Sequence, residues 1–442
     1  MSREMKDSGV EWIGEIPEEW EICRLKHLLQ IPMQYGANET GIEYDEKLPR
    51  YIRITDITND NHLKNTGKLS LSLEQAKGYY LRQGDILFAR SGATVGKTFI
   101  YEEKYGKCAF AGYLIRASFQ ENVVSKFIYY FTLSSGYEMW KNMIFVQATI
   151  QNIGAEKYSN LEISLPSINE QKKIVTFLER KCNDIEKVIH SNRICIEEYK
   201  KLMQSIIVEG VTKGIRNNRK MKDSKIEWIG EVPADWKLLP FRRVLKERNE
   251  KNSPIKSKER LSLSIDLGVT LYSEKTTNLD RFKEDFEQYK VAHKGDLVMN
   301  SMNMIVGASG QSKYYGCVSP AYYTFYDDVE DHCTTKFCEY VFRSKTMLRV
   351  LFSLGKGIYA IVRGDDKVNT CRLKVSKEDL KSIVIPVPPL EEQREITTFL
   401  NEKCNQINKI IEKKEQFISE LENYKKSLIY EYVTGKKEVP ES

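Results

Sequence analysis

Residues 6–20 read KDSGVEWIGEIPEEW and residues 222–236 read KDSKIEWIGEVPADW; ten of the fifteen positions are identical. A second pair follows farther on. Residues 170–185 read EQKKIVTFLERKCNDI and residues 392–407 read EQREITTFLNEKCNQI, with ten of sixteen identical. The offset is 216 for the first pair (222 against 6) and 222 for the second (392 against 170). The 442 residues therefore hold two copies of one unit with a common opening and a common close. A period this long lies far outside the ~20–50 residues of a solenoid repeat. Between the matching ends only islands correspond, such as Gly84-Asp85-Ile86-Leu87 with Gly295-Asp296-Leu297-Val298. The reading is a domain with a tail, duplicated, whose frame was kept while its centre diverged.

Working outward, each half splits again. Short β-rich runs broken by turn residues fill 21–165, among them Tyr51-Ile52-Arg53-Ile54 and Asp85-Ile86-Leu87-Phe88-Ala89-Arg90. A few helices interrupt them, the clearest at 123–141. In the second half, Leu297-Val298-Met299-Asn300 and Ala321-Tyr322-Tyr323-Thr324-Phe325-Tyr326 are strand candidates. After Pro166, and again after Pro386, Pro388 and Pro389, a long helical pattern begins. Proline suits a helix entry, where its missing N–H would go unpaired anyway. Glu170 and Glu392 fall in the first turn, where the helix dipole favours negative charge. The pattern runs without Gly or Pro to Gly210 and Gly435. Counting in sevens gives Ile174, Lys181, Val188, Cys195 and Leu202, with companions Leu178, Ile185, Asn192, Tyr199 and Ile206. The second copy gives Ile396, Lys403, Ile410, Phe417 and Tyr424, with Leu400, Ile407, Lys414, Leu421 and Leu428. Such a seam fits a coiled coil, and its polar breaks can fix register. Two such helices in one chain most simply pair with each other, each about 60 Å long for ~40 residues.

The expected fold class is α+β. Two pseudo-repeated globular domains, 1–165 and 216–385, are each followed by a long helix, 166–215 and 386–436, with a tail at 437–442. The two helices are expected to pair as an antiparallel coiled coil.

Composition narrows the class. Hydrophobic residues make up 41% and charged residues 29%, which suits a globular chain rather than a disordered one. No run of about 18 apolar residues suggests a membrane span. Residues 1–7 lack the apolar core of a signal peptide. Nine scattered cysteines with no Cys-x-x-Cys fit reduced thiols, so a cytoplasmic location is expected. A net charge of +6 permits nucleic-acid binding without requiring it. Five histidines form no metal-ligand spacing. His332, Cys333 and Cys338 lack a convincing fourth ligand for zinc. Gly96-Lys97-Thr98 is not a P-loop, because position 91 is Ser rather than Gly. No methyltransferase motif or cofactor fingerprint is visible, so no catalytic residue, cofactor or metal is expected.

Trp12-Ile13-Gly14-Glu15-Ile16-Pro17 with Trp20, the Gly-Asp island, and Pro166 with Glu170-Gln171 opening a long helix, all present twice in order, resemble the specificity subunit of type I restriction–modification enzymes. The resemblance covers nearly the whole chain. It implies two target-recognition domains, each reading one half of a split double-stranded DNA site, and a coiled coil that sets the gap. It also implies methyltransferase subunits, two of them, and restriction–translocase subunits as partners, which carry the catalysis. The alternative from another class is a DNA-cleaving enzyme built on dispersed carboxylates.

Candidate DNA contacts follow from side-chain chemistry. The stretch 90–97 follows a strand directly; Arg90 and Lys97 supply charge, Ser91 and Thr94 hydroxyls, and the glycines, Gly92 and Gly96, let the backbone approach phosphate closely. Arginine is also the usual bidentate reader of guanine. Its expected counterpart, 300–307, is amide-rich, with Asn300, Ser301 and Asn303, and asparagine reads adenine. A second segment holds Gln147, Thr149, Gln151 and Asn152; its counterpart, 356–363, holds Lys356, Tyr359 and Arg363.

Overall fold

The computed structural model describes residues 3–58, 61–92, 94–146, 152–265, 267–275, 285–358 and 372–440. These form two compact units, 3–193 with 415–440, and 194–358 with 372–414.

In the first unit the repeated opening folds as a hairpin, Met5–Asp7 antiparallel to Glu15–Pro17. Asp7 Oδ1 accepts from Gly9 N at 2.9 Å, and Ser8 Oγ accepts from Val10 N at 3.1 Å. Short polar side chains closing their own turn explain why Asp-Ser recurs. The hairpin leads to Trp20, whose indole N–H donates to Glu170 Oε2 at 3.1 Å. The two recurrent blocks of sequence are thus partners in space. The central sheet has the order β1–β4–β2–β3, with β1 Leu29–Tyr35, β2 Ile86–Ala89, β3 Thr98–Ile100 and β4 Leu114–Phe119, all antiparallel neighbours. One face packs Ile86, Phe88 and Ile115 against Phe127 and Phe131 of the following helix. Full burial of side chains of this size contributes about 1.5–3 kcal/mol each. The strand Glu162–Leu165 returns to pair with Glu21–Arg24 before the long helix begins.

The single helix expected at 123–141 is two, α1 Ser125–Phe131 and α2 Ser135–Val146. Ser134 breaks it: its Oγ donates to Phe131 O at 2.7 Å and accepts from Tyr137 N at 3.3 Å, so it stops one helix and starts the next.

The second unit repeats this plan. Met221–Asp223 pairs with Glu231–Pro233, and Trp236 Nε1 donates to Glu392 Oε2 at 3.0 Å. Its sheet runs β5–β8–β6–β7, with β5 Lys246–Glu247, β6 Leu297–Asn300, β7 Ser309–Gln311 and β8 Tyr322–Tyr326. Helices α3 Cys333–Arg343 and α4 Lys345–Leu354 are parted by Ser344, which plays the part of Ser134. The Gly-Asp island is structural in both units. Gly84 and Gly295 take left-handed φ of +86° and +91°. Asp85 Oδ2 accepts from Arg82 N and Oδ1 from Ser118 Oγ, while Asp296 accepts from His293 N and Arg248 Nε. Burial pushes the Asp85 carboxyl up, against the pull of the Ser118 hydroxyl and the Arg82 N–H.

The long helices are α5 Ile168–Thr212 and α6 Leu390–Val433. The helix α5 continues past Gly210, where a Cβ would fall 3.1 Å from a Leu400 methyl; glycine there serves close packing. Burial corrects the seam. The companion series stands, since Leu178, Leu400, Ile407 and Leu428 are buried. The other series holds at its start, where Ile174 and Ile396 are buried, and farther on is displaced by one residue: Cys182, Ile189 and Ile196 are buried, as are Ile411 and Ile418, whereas Val188, Leu202, Ile410, Phe417 and Tyr424 are exposed. Within the first unit, Arg193 pairs with Glu422 at 2.9 Å, Lys425 pairs with Glu186, and the Phe177 and Tyr432 rings lie 4.5 Å apart. Within the second, Arg216 pairs with Glu395 at 2.7 Å.

Candidate nucleic-acid interface

Three strand ends meet at one edge of the first unit's sheet: β1 ends at Tyr35, β2 ends at Ala89 and β4 begins at Leu114, with Leu114 opposite Ala89 and Ile115 opposite Tyr35. Arg90 leaves this edge with its backbone fixed on both sides. Its N–H donates to Tyr113 O at 3.1 Å, and its carbonyl accepts from Ile153 N at 2.9 Å. The guanidinium lies over the Tyr35 ring, 5.0 Å from the centroid. Arg90 Nε is buried with no hydrogen-bond partner. The Tyr35 hydroxyl is held in turn by Ala155 N at 3.1 Å. Ser91 and Asn152 form a bridge, which brings the two candidate segments of the first unit together. Gln147, Thr149 and Gln151 lie outside the described residues.

The rest of the 90–97 loop divides by role. Gly92 is exposed, with φ +80° and open space where a Cβ would stand. Gly96 is not an approach point for phosphate: a Cβ there would fall 2.2 Å from Lys141 Cδ, and its carbonyl accepts from Tyr137 Oη. Lys97 is half-buried and donates to Ile57 O at 3.3 Å, so it braces the loop. Thr94 is half-buried beside it. Tyr35 and Tyr113, 42% and 61% exposed, flank Arg90 and were not singled out from the sequence. Their signal was there in Tyr35-Gly36 and Gly112-Tyr113. A Cβ at Gly36 would fall 2.4 Å from the Ala111 carbonyl oxygen, so the chain must cross closely where both tyrosines emerge.

The second unit shifts the expected correspondence by one residue. Asn300 N donates to Ala308 O as Ala89 N donates to Lys97 O, and Val375 N donates to Ser301 O as Ile153 N donates to Arg90 O. Ser301, not Asn300, therefore occupies the place of Arg90. It is fully buried, which removes it from the contact candidates. Asn300 spends its side-chain oxygen on Met302 N at 3.0 Å; Asn303 is exposed. Lys356 lies on a short strand, Lys356–Ile358, paired antiparallel with Arg372–Lys374. Its ammonium reaches Asp379 at 3.1 Å. Asn152 and Lys374, each preceding the residue that bonds the loop carbonyl, hold equivalent places. Tyr359 and Arg363 lie outside the described residues.

Of the cysteines weighed for zinc, Cys333 and Cys338 are buried, and burial pushes the Cys333 thiol up to about 11. Among the described residues no group of three or more His, Cys, Asp or Glu side chains is placed to hold a metal ion, and no helix is long and apolar enough to cross a membrane.

Comparison with known proteins bears on both halves. A family model for the type I restriction modification DNA specificity domain matches residues 17–194 and again 240–420. One relative in Methanocaldococcus jannaschii, named as a type I restriction enzyme MjaX specificity subunit, is 25% identical over 448 residues, covering 96% of this chain and 95% of its own. The MjaVIII specificity subunit of the same organism is 22% identical, covering 95% and 93%. A solved chain from work on complex assembly and conformational transition of the type I R-M system superposes with a TM-score of 0.65 at 15% identity, over 96% of this chain and 99% of that one; it supports the fold. With two matched segments in the same order as the internal repeat, this chain belongs to the type I restriction–modification DNA specificity family.

Proposed function

We propose that this chain is the non-catalytic DNA-recognition subunit of a type I restriction–modification complex and reads a bipartite target, one half-site per globular unit. The observation that carries the reading is the family match to both halves of a chain whose frame repeats and whose loops do not. In the first unit Arg90, steadied by Tyr35, is the reader of a guanine, with Ser91, Gly92, Thr94 and Asn152 around it. Asn303 and Lys356 are the candidates retained from the second unit's described residues.

The long helices pair as an antiparallel coiled coil and act as the spacer between half-sites. The opposed order of Glu186 with Lys425 and Arg193 with Glu422 supports this. The same helices offer the partner surface. Val188 and Leu202 on α5, and Ile410, Phe417 and Tyr424 on α6, stay exposed at multiples of seven residues. Apolar stripes at heptad spacing are what a partner helix covers. That the stripe occurs once on each helix, 222 residues apart, fits two methyltransferase subunits.

The test is methylome sequencing of cells expressing this chain with its methyltransferase. A split motif that disappears when this chain is deleted is expected. Unchanged methylation on its deletion would refute the proposal.

A further inference from the structure

We propose that the second unit reads thymine through its C5-methyl groups, using an apolar tip formed by Met302 and Val306 on the loop after β6 and by Ile265 and Leu267 on the neighbouring hairpin. This deepens the DNA-recognition reading and rests on it.

Four apolar side chains are exposed: Met302 is 43% exposed, Val306 50%, Ile265 46% and Leu267 77%, with exposed Asn303 among them, while Asp266, between Ile265 and Leu267, lies outside the described residues. The first unit differs at the places of Met302 and Val306. At the equivalent places stand Ser91 and Val95, and Val95 is 7% exposed. The tip is not a loose end. Met302 N is held by Asn300 Oδ1 at 3.0 Å, and Val306 N and Ala308 N both donate to Asn303 O at 3.1 Å. Gly307 turns the loop at φ +93°, and a Cβ there would lie 4.0 Å from Ile265 Cγ2, which places the hairpin beside the loop. Arg343 Nη2 fixes that hairpin through Ile265 O at 2.8 Å. A rigid apolar projection left in water is the mark of a surface that something covers.

The flank identifies what covers it. Lys374 is exposed and directly precedes Val375, whose N–H holds the loop at Ser301 O. Arg349 is exposed and follows Leu348, which contacts the Gly307 turn. Exposed cations next in sequence to residues that hold or near the loop, together with its apolar side chains, fit a polyanion that also presents apolar groups. In the major groove the thymine methyl is the apolar group on a base edge, and phosphates line both sides. The place of Arg90, the guanine reader of the first unit, is here taken by buried Ser301. The two units thus carry opposite chemistries at the same point of the fold: a guanidinium on an aromatic ring in one, a methyl-seeking tip in the other.

The experiment uses the full chain co-purified with its methyltransferase. Duplexes selected from a random pool define both half-sites, and exchange of residues 237–387 for a relative's identifies which belongs to the second unit. Deoxyuridine then replaces thymine in one half-site at a time, which removes the methyl and nothing else. Affinity should fall about fourfold per contacted methyl in the second half-site, the equivalent of one buried CH2 group, and stay unchanged in the first. Met302→Ser with Val306→Thr should weaken binding to the thymine duplex severalfold and reduce the discrimination against deoxyuridine. Both side chains are surface-exposed, so folding is not at stake, and the deoxyuridine arm leaves the protein intact. Sequence-selective binding indifferent to both deoxyuridine and these substitutions overturns the inference and leaves the recognition reading standing. Variants that lose the methyltransferase partner while thymine and deoxyuridine bind alike make the tip a protein contact and overturn it too. No sequence-selective binding at all overturns the recognition reading itself.

Discussion

Replacing Arg90 tests the first reader most directly. A bidentate arginine–guanine contact is worth about 1–3 kcal/mol of discrimination, or roughly 5- to 150-fold in affinity. Its stack on Tyr35 adds about 0.5–1 kcal/mol at a partly exposed site, mainly by holding the fork in place. Arg90→Lys keeps the charge but loses the planar pair of donors. It should therefore lower affinity for the selected duplex nearly as much as Arg90→Ala does, while leaving binding to unrelated DNA unchanged. Arg90→Ala should also lower the slope of log affinity against log salt if the guanidinium touches phosphate, by about 0.9 per contact. Tyr35→Leu should cost a smaller factor, about two- to fivefold, because the ring is lost and the reader remains. Fluorescence anisotropy across a salt series, with the selected duplex and one in which each G·C pair of the first half-site is changed in turn, separates these terms. A single position should lose its discrimination in both Arg90 variants. If lysine serves as well as arginine, or if alanine weakens every duplex equally, Arg90 is a phosphate contact or none, and the base-reading argument fails.

Three further outcomes follow from the same geometry. Trp236→Phe removes the N–H that donates to Glu392, a fully buried side chain, and should lower stability by about 1–3 kcal/mol, seen as a lower urea midpoint without change in the recognised sequence; an unchanged midpoint would show the pair to be dispensable. Lys374→Ala should weaken binding to all duplexes alike and reduce the salt slope by about one, and a loss confined to one base position would instead make it a base reader. Four residues inserted after Lys201 add about one helical turn, 5.4 Å, and should lengthen the recognised gap by about one base pair or abolish activity through phase mismatch, with both half-sites unchanged; an active mutant with the original gap would mean that the helices do not measure it.

What could be read from the sequence, and what could not, has physical causes. The duplication was visible because its ends keep their residues. That these ends bind each other was not, since no local pattern links Trp20 to Glu170 across 150 residues. The heptad seam was legible in half its positions. Val188 stands beside Ile189, Ile410 beside Ile411, and Phe417 beside Ile418. With two apolar neighbours, hydrophobicity alone cannot say which one faces inward, and burial selects the second each time. The helix break at Ser134 was missed because serine is tolerated within helices; only its hydrogen bonds to both flanking turns make it a stop. The one-residue error between the two recognition loops arose because Asn300 and Arg90 look alike as strand-end polar residues, whereas Asn300 is the last residue of its strand and Arg90 lies one past the end.

The same comparison explains how one frame can carry two specificities. From Trp20 to Gly84 the first unit runs 64 residues where the second, from Trp236 to Gly295, runs 59. From Gly84 to Glu170 it runs 86 where the second, from Gly295 to Glu392, runs 97. Each length change falls between anchors that the fold ties down independently. Tryptophan is bonded to the long helix through Glu170 or Glu392, the Gly-Asp turn is closed by its own buried carboxylate, and the long helix begins at a fixed place after the returning strand. Because the anchors bond to one another, to their own turns or to neighbouring residues such as Ser118 and Arg248, and not to the proposed recognition loops, a loop can gain or lose residues, or exchange arginine for a buried serine, without moving the frame. The cost of such a change is then set by the loop's own hydrogen bonds, as at Asn300 with Met302, and not by the core. On the proposed reading, a duplicated chain built this way can alter one half-site at a time while the other reader and the proposed partner surface of the helices stay as they were.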